Sequence, residues 1–317
     1  MPIVKSTYHP PLYLLNRHVQ TVIPFYYVKP DSTLYKTEKF ELPDGDFLEL
    51  DWIRDGNDKL MVMCHGLEGN SRSSYMQQTA VYFSKLGWDI LAINTRGCGR
   101  EINRLPVLYH GGSTQDIDAV VTKYADKYSS LVLVGFSLGA NMLLNFAARH
   151  NTPGNLKATV GFSVPCDLRT SEQQIDRFIH HFYREKFLHK LKNKIRKLEN
   201  LHPGIVDLSV LEKANTMQAF TRAIAAPLCG FNTINDYYLA GSSLNALAEI
   251  KVPTFIANAK NDPFLADRCY PTDIAKSSDK VFLDMPKHGG HASFPITNTL
   301  SWMPGRLDEF LKVNVEI

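Results

Sequence analysis

The sequence has few cysteines, and none are spaced to hold a metal ion or a redox-active disulfide. Its five cysteines, an odd number, are scattered along 317 residues with no C-x-x-C pair. This pattern predicts neither a zinc site nor a disulfide framework, and it indicates reduced thiols. Since reduced thiols are typical of the cytoplasm, we expect a cytoplasmic protein.

Long apolar runs and an excess of one charge are also missing. No stretch approaches the roughly 18 consecutive apolar residues of a membrane-spanning helix. The first residues lack the basic start and apolar run of a secretory signal, so we expect no export. The formal net charge is only +3. We therefore expect neither an integral membrane protein nor a nucleic-acid-binding protein.

Short apolar, β-branched runs recur along the chain, with helical patterns between them. This alternation predicts an α/β fold, with a mostly parallel sheet and helices on both faces. The predicted strands are Lys59–Cys64, Trp88–Ile93, Leu131–Gly135, Ala158–Ser163, Thr254–Ala257 and Lys280–Asp284. The predicted helices include Ser73–Leu86, Ser137–His150 and Pro304–Val313. A single domain spanning residues 1–317 is expected, because α/β domains reach this length.

Two segments depart from this alternation of strands and helices. Phe40–Trp52 alternates apolar and polar residues around Pro43-Asp44-Gly45, which predicts an antiparallel hairpin at the sheet edge. From residue 167 to residue 247 the strand pattern stops, which predicts a helical cap inserted into the domain. Within this insertion, Phe187–Leu198 is predicted to form a basic amphipathic helix. Its apolar face carries Phe187, Leu188, Leu191, Ile195 and Leu198, and its other faces carry Lys190, Lys192, Lys194, Arg196 and Lys197. Such a helix can contact an anionic lipid surface weakly, but packing on the core by its apolar face is the commoner outcome.

A candidate nucleophile lies in Gly135-Phe136-Ser137-Leu138-Gly139, between a predicted strand and a predicted helix. A G-x-S-x-G motif in this context forms a sharp turn that exposes the serine hydroxyl, and its glycines avoid clashes with neighbouring backbone. A tight structural turn is the alternative. Ser163, in Gly161-Phe162-Ser163, lacks the second glycine and is predicted to be a strand-end residue.

A serine nucleophile needs a histidine to take its proton and a carboxylate to orient that histidine. With this motif the chain order is serine, acid, histidine. Asp262 is the predicted acid, because it follows the strand Thr254–Ala257 in a polar turn. A turn-capping role for Asp262 is the alternative. Asp267, Asp273 and Asp284 are the other candidate acids.

The predicted base lies in the loop after the last strand, Lys287-His288-Gly289-Gly290-His291. We favour His291, since the two glycines let the loop bring its ring close to the serine. His288 is predicted to be a loop histidine. A metal site on the two histidines is not expected, because no nearby cysteine or carboxylate pattern completes a ligand set. No cofactor is predicted.

Backbone N–H donors are also needed to stabilise a tetrahedral intermediate. The segment His65-Gly66-Leu67-Glu68-Gly69 follows the strand Lys59–Cys64, where such a loop is expected. The predicted donors are the amides of Leu67 and Leu138. His65 is predicted to support the loop, with direct contact to substrate as the alternative.

These motifs together resemble the YheT-like branch of the α/β-hydrolases, which includes lipases and esterases of the animal α/β-hydrolase-domain-containing proteins. The resemblance covers nearly the whole chain. It rests on the following segments: Asn16-Arg17-His18-Val19-Gln20-Thr21, His65 to Gly69, Asn94-Thr95-Arg96-Gly97-Cys98-Gly99, Gly135 to Gly139, Asp262-Pro263-Phe264 and Gly289-Gly290-His291. It implies the same triad, Ser137, Asp262 and His291.

The expected function is a serine carboxylesterase acting on a small-molecule ester of short to medium chain length. The resemblance also implies acylglycerols or phospholipids as substrates. Its animal members carry an N-terminal membrane anchor, but we expect none here, which favours a soluble esterase. Aromatic residues between Phe220 and Tyr238 are candidates for lining an acyl pocket, although each taken singly is more often core. Acyl transfer by the same triad, or a non-catalytic binding module, are the alternatives.

Overall fold

The computed structural model describes residues 3–317 of the protein, apart from the side chain of Phe25. A nine-stranded sheet forms the centre of the molecule. The strands are β1 (Ile3–Val4), β2 (Lys36–Glu41), β3 (Phe47–Ile53), β4 (Lys59–Cys64), β5 (Asp89–Asn94), β6 (Ser130–Phe136), β7 (Leu156–Phe162), β8 (Thr254–Ala257) and β9 (Val281–Asp284). Their order is β1-β9-β8-β7-β6-β4-β5-β3-β2. Only the β2–β3 and β3–β5 pairs are antiparallel, so the α/β prediction and the edge hairpin are confirmed.

Twelve α-helices surround this sheet within the described residues. They are α1 (Arg17–Tyr27), α2 (Ser74–Ser84), α3 (Thr114–Tyr124), α4 (Leu138–Arg149), α5 (Leu168–Ile175), α6 (His181–Leu201), α7 (Leu208–Lys213), α8 (Met217–Phe220), α9 (Ala226–Leu228), α10 (Ile234–Gly241), α11 (Thr272–Ser277) and α12 (Met303–Asn314). A π-helical turn, Thr221–Ala225, connects α8 to α9. Within these described residues, none of the helices is both long and apolar enough to cross a membrane.

Alternating residues of the strands pack on opposite faces of the sheet, as the period of a strand requires. On one face, Met61 and Met63 of β4 pack with apolar residues of α2 and α12. On the other face, Leu60 and Val62 pack with α3, α4 and the helices between β7 and β8. Strands β4 to β8 are buried on both sides, which is why the sequence shows them as mostly apolar runs.

The chain between β7 and β8 is helical, and Asp167 begins it by accepting the N–H of Thr170 at the first turn of α5. The apolar side of α6 is buried at Leu188, Leu191 and Ile195. The predicted amphipathic helix therefore packs on the core. We interpret this segment as a cap within a single domain.

Candidate active site

Ser137 lies at the sharp turn between β6 and α4. Its φ of 52° and ψ of −125° belong to a region that residues other than glycine rarely adopt, so the turn holds the backbone under strain. The Ser137 N–H donates to the carbonyl of Phe162 at 2.9 Å, which fixes the turn to the neighbouring strand β7. The serine hydroxyl consequently stands above the carboxyl end of the sheet.

The two glycines of the motif are required by close backbone approach. A Cβ on Gly135 would lie 2.3 Å from the Cα of Ala140, in the first turn of α4. A Cβ on Gly139 would lie 2.3 Å from the carbonyl oxygen of His65. Neither neighbour is a flexible side chain, so any larger residue would displace the turn. The G-x-S-x-G pattern thus has a steric cause at both ends.

The structure brings the three predicted triad residues together. The Oγ atom of Ser137 lies 2.8 Å from Nε2 of His291. On the other side of the ring, Nδ1 of His291 lies 2.9 Å from one carboxylate oxygen of Asp262 and 3.1 Å from the other. The Asp262 side chain is completely buried and that of His291 is 11% exposed. This is the geometry that a serine, a base and an orienting carboxylate require.

The alternative acids and the alternative histidine lie outside this hydrogen-bonded chain. Asp267 and Asp273 are exposed, and Asp284 is buried in an ion pair with Arg306, with a shortest N–O distance of 3.1 Å. His288 is half-buried, and its Nδ1 atom has no hydrogen-bond partner among the described residues. Of the acids and histidines named from the sequence, Asp262 and His291 form the hydrogen-bonded chain that reaches Ser137.

The loop that carries His291 is held by the N-terminal helix α1. Gln20 is completely buried, and its side-chain oxygen accepts the N–H of Gly289 at 3.0 Å. The hydroxyl of Thr21 accepts the N–H of His291 at 3.1 Å. A Cβ on Gly290 would lie 2.8 Å from the Cβ of Gln20, so the glycine permits this close packing. Sequence reasoning assigned these residues no positioning role, although the segment Asn16 to Thr21 already supported the family resemblance.

Ser163 holds the same loop from the sheet. It follows β7, as predicted for a strand-end residue, and it has a positive φ of 53°. Its hydroxyl accepts the N–H of Ala292 at 2.8 Å. This contact next to His291 gives Ser163 a positioning role that the incomplete G-x-S-x-G pattern did not reveal.

The loop after β4 packs directly beside the serine, since a Cβ on Gly66 would lie 3.0 Å from the Cβ of Ser137. The His65 ring beneath it is buried, and burial lowers its pKa to about 4, so it is neutral. Its Nε2 accepts the N–H of Thr95 at 3.2 Å, which leaves Nδ1 to donate to the carbonyl of Gly66 at 2.7 Å. His65 therefore supports the loop, and both of its ring nitrogens are engaged with backbone.

A buried ion pair joins this loop to α6. The Nζ atom of Lys194 lies 2.6 Å from a carboxylate oxygen of Glu68, and both side chains are less than a tenth exposed. Burial alone would lower the pKa of Lys194, but the neighbouring Cys98 and Glu68 raise it, so the ammonium stays charged. The sequence placed Lys194 on a solvated face of the amphipathic helix. That assignment is wrong, because the helix turns this lysine toward the loop.

A pocket that is partly open to solvent lies over Ser137 and His291. Its walls are mostly apolar side chains. They come from the segments that follow β4, β6 and β8 and from the helices between β7 and β8. They include Leu67, Leu138, Ile175, Phe187, Leu191, Met217, Phe220, Tyr237 and Phe264. Of the aromatics named from the sequence, Phe220 and Tyr237 line the pocket. Phe231 instead packs its ring edge-on against Tyr237 and His110.

The half-buried Glu172 also places a carboxyl group in the pocket wall. It accepts hydrogen bonds from the hydroxyls of Thr221 at 2.8 Å and Tyr238 at 2.6 Å. Burial raises the pKa of Glu172 to about 7, the two hydroxyls oppose this rise, and the neighbouring Asp176 adds to it. Around neutral pH the Glu172 carboxyl group therefore changes between its neutral and its charged form.

Glu172 should make the stability of the fold depend on pH. In the unfolded chain it titrates near 4.5, so between about 4.5 and 7 the folded state holds a proton that the unfolded state has lost. The free energy of unfolding should fall as pH rises through this window, by on the order of 3 kcal/mol, and level off above it. The free energy of unfolding, measured with denaturant at each pH, should show this slope when the value for Glu172→Gln is subtracted from that for wild type. The exposed Glu249→Gln control should keep it, and equal slopes in all three proteins would contradict the assignment.

No group of three histidine, cysteine or acidic side chains within residues 3–317 is arranged to hold a metal ion. All five cysteines are free, and four of them are buried.

Comparison with known families identifies the fold and its class. The family model described as alpha/beta hydrolase fold matches residues 59–296, which include the three predicted triad positions. Of solved structures, an esterase of Pyrococcus furiosus, Pf2001, superimposes with a TM-score of 0.60 at 19% identity, over 89% of this chain and 91% of that one. The chain belongs to the α/β-hydrolase family.

Curated relatives narrow the branch. The Escherichia coli K12 protein named "Putative esterase YheT" is 30% identical over 95% of this chain and 92% of its own length. Phospholipase ABHD3 of Mus musculus is 26% identical over 92% of this chain and 74% of its own. A monoacylglycerol lipase of Saccharomyces cerevisiae is 27% identical over 80% of this chain and 59% of its own. The chain is a member of the YheT-like branch, as its motifs indicated.

Proposed function

We propose that this protein is a serine carboxylesterase that hydrolyses short- to medium-chain carboxylic esters through an acyl-enzyme. The observation that carries the proposal is the hydrogen-bonded chain from Ser137 Oγ through His291 to the buried carboxylate of Asp262. The names of the relatives, which include an esterase, a phospholipase and a monoacylglycerol lipase, all point to ester bonds.

Acylation begins when the Ser137 oxygen attacks the ester carbonyl and Nε2 of His291 takes the hydroxyl proton. Asp262 keeps the remaining ring proton on Nδ1 and stabilises the imidazolium that forms. His291 then gives its proton to the departing alcohol, which leaves the acyl group on Ser137. A water molecule, deprotonated by the same nitrogen, attacks the acyl-enzyme. His291 then returns this proton to the Ser137 oxygen as the bond to the acyl group breaks and the acid leaves.

The negative charge on the carbonyl oxygen needs donors at the same edge of the sheet. Leu138 is the first residue of α4, so its N–H has no partner within the helix and points with the helix dipole toward this region. Leu67 contributes the second N–H from the loop after β4, which packs against Ser137. Each such donor contributes a factor of roughly 100 to 1,000 to kcat in related chemistry.

A covalent label and a substrate series test the proposal. Wild-type protein should react with a fluorophosphonate at Ser137 and should show a burst of p-nitrophenol from p-nitrophenyl esters, with the best chain length defined by the pocket. Ser137→Ala should do neither, whereas Ser129→Ala, at an exposed serine, should do both. Ester hydrolysis that survives Ser137→Ala would reject the mechanism.

A further inference from the structure

An exposed apolar surface lies beside the site, on two segments that are distant in the sequence. We call it the N-terminal patch, and its members are Leu12, Tyr13, Leu15, Phe178, Ile179 and Phe182. Leu12 is 86% exposed and Phe178 is 88% exposed, and the other four are between 40% and 62% exposed. Single exposed apolar residues are ordinary, but a cluster of six indicates a surface that is used.

Side-chain contacts hold the two segments of the patch together. The guanidinium of Arg17 lies 2.8 Å from Nε2 of His180. His18 forms a hydrogen bond of 3.1 Å with the hydroxyl of Tyr183, and the two rings stack at 5.7 Å. These pairs join the start of α1 to the start of α6. The residues just before Arg17 and those around His180 therefore form one surface.

The patch adjoins the pocket through one aromatic side chain. The Tyr183 ring packs on Phe264, with the ring centroids 4.8 Å apart. Phe264 lines the pocket and packs on His291 at 4.5 Å. A molecule that covers the patch would consequently lie close to the pocket.

The charges around the patch favour an anionic partner. Residues 12–20 and 176–190 contain five lysines and arginines against two acidic residues. The cations are Arg17, Arg177, Arg184, Lys186 and Lys190, and the acids are Asp176 and Glu185. Exposed aromatic and aliphatic side chains among cations are typical of protein segments that rest in the headgroup region of a bilayer.

The middle of α6, which the sequence suggested for lipid contact, has its apolar side chains buried in the core. Lys194 is buried against Glu68, and Lys192 and Arg196 both bond to Glu212, to its backbone carbonyl and its carboxylate respectively. The beginning of α6 has the opposite character, since Phe182 projects into solvent. The exposed apolar side chains are therefore at the N-terminal end of α6, not in its basic middle.

We propose that the N-terminal patch docks on an anionic phospholipid surface and sets the pocket entrance against it. The apolar side chains insert between headgroups while the surrounding cations pair with phosphate and carboxylate groups. Docking itself is independent of catalysis. Its consequence, that esters dissolved in the bilayer reach Ser137 without crossing water, rests on the proposed function.

Vesicle co-sedimentation tests the docking directly. Wild-type protein should bind phosphatidylcholine vesicles that contain phosphatidylserine, and binding should weaken with added salt. Leu12→Ser/Phe178→Ser should reduce the partition coefficient about a hundredfold, about tenfold for each large side chain lost. The matched control is Leu239→Ser/Val313→Ser, two similarly exposed side chains outside the patch, and it should bind like wild type. Both double variants should unfold at the wild-type temperature.

An activity assay separates docking from catalysis. The patch variant should hydrolyse a water-soluble p-nitrophenyl ester at the wild-type rate but a vesicle-dissolved long-chain ester many-fold more slowly. Vesicle binding without any ester hydrolysis would reject the proposed function and leave docking supported. Wild-type binding no stronger than that of the patch variant would overturn docking. Docking would also be overturned if wild type self-associated and the patch substitutions abolished that association, because the patch would then bind a second copy of the protein.

Discussion

Replacing Asp262 with asparagine is expected to lower kcat about ten-thousand-fold while the protein stays folded. One carboxylate oxygen of Asp262 accepts the N–H of Phe264 at 2.8 Å, and the other lies 2.9 Å from Nδ1 of His291. An asparagine can keep the first contact with its carbonyl, which turns its NH2 group toward the ring. Nδ1 must then accept a hydrogen bond, so the proton moves to Nε2 and His291 can no longer take the proton of Ser137.

The matched control is Asp267→Asn, at an exposed aspartate in the same segment. It should change neither kcat nor the midpoint of thermal unfolding. Both variants are to be measured with p-nitrophenyl acetate over a range of concentrations, so that kcat and KM are separated. A kcat for Asp262→Asn within tenfold of wild type, in a folded protein, would remove Asp262 from the mechanism.

The strands and the serine turn could be predicted because local chemistry determines them. β4 and β8 begin and end at the predicted residues, since both are short runs of apolar side chains buried on two faces. The turn at Ser137 leaves a signature in the sequence because backbone crowding excludes all but glycine at two fixed positions. Predictions of this kind depend on neighbours within a few residues.

Contacts between distant segments could not be predicted, because one sequence carries no record of them. α1 was not predicted, and only the fold shows that Gln20 and Thr21 hold the loop of His291. Its sequence gives a mixed signal, with Asn16 as an N-cap but a proline, Pro24, inside the helix. Glu172 could not be distinguished from a solvated acidic residue, since its burial arises from packing between α5, the π-turn and α10.

Lys194 shows where pattern reasoning fails for a specific physical reason. A lysine on the polar side of a helix is normally solvated, so periodicity assigns it to the surface. Here the loop after β4 supplies a carboxylate, Glu68, whose backbone has a positive φ of 51° and whose N–H donates to the hydroxyl of Tyr109. The tertiary partner compensates for burying the charge, and helical periodicity contains no information about that partner.

Replacing Lys194 with methionine is expected to lower the free energy of unfolding by about 3–5 kcal/mol, because the Glu68 carboxylate would stay buried without its cation. Methionine retains most of the side-chain length, so little packing is lost. The double variant Glu68→Gln/Lys194→Met should recover much of this stability, since it buries no unpaired charge. The control Lys192→Met, whose ammonium only reaches an exposed carbonyl, should stay within about 0.5 kcal/mol of wild type.

Lys194→Met should also lower kcat more than it raises KM. Glu68 follows Leu67 directly, so a displaced Glu68 moves the proposed donor away from the developing oxyanion, and losing one donor costs kcat roughly 100-fold to 1,000-fold. A purely structural pair would give a less stable protein with wild-type kcat below its unfolding transition. Ester hydrolysis measured well below that temperature therefore decides whether α6 holds the oxyanion loop in its catalytic position or only anchors the fold.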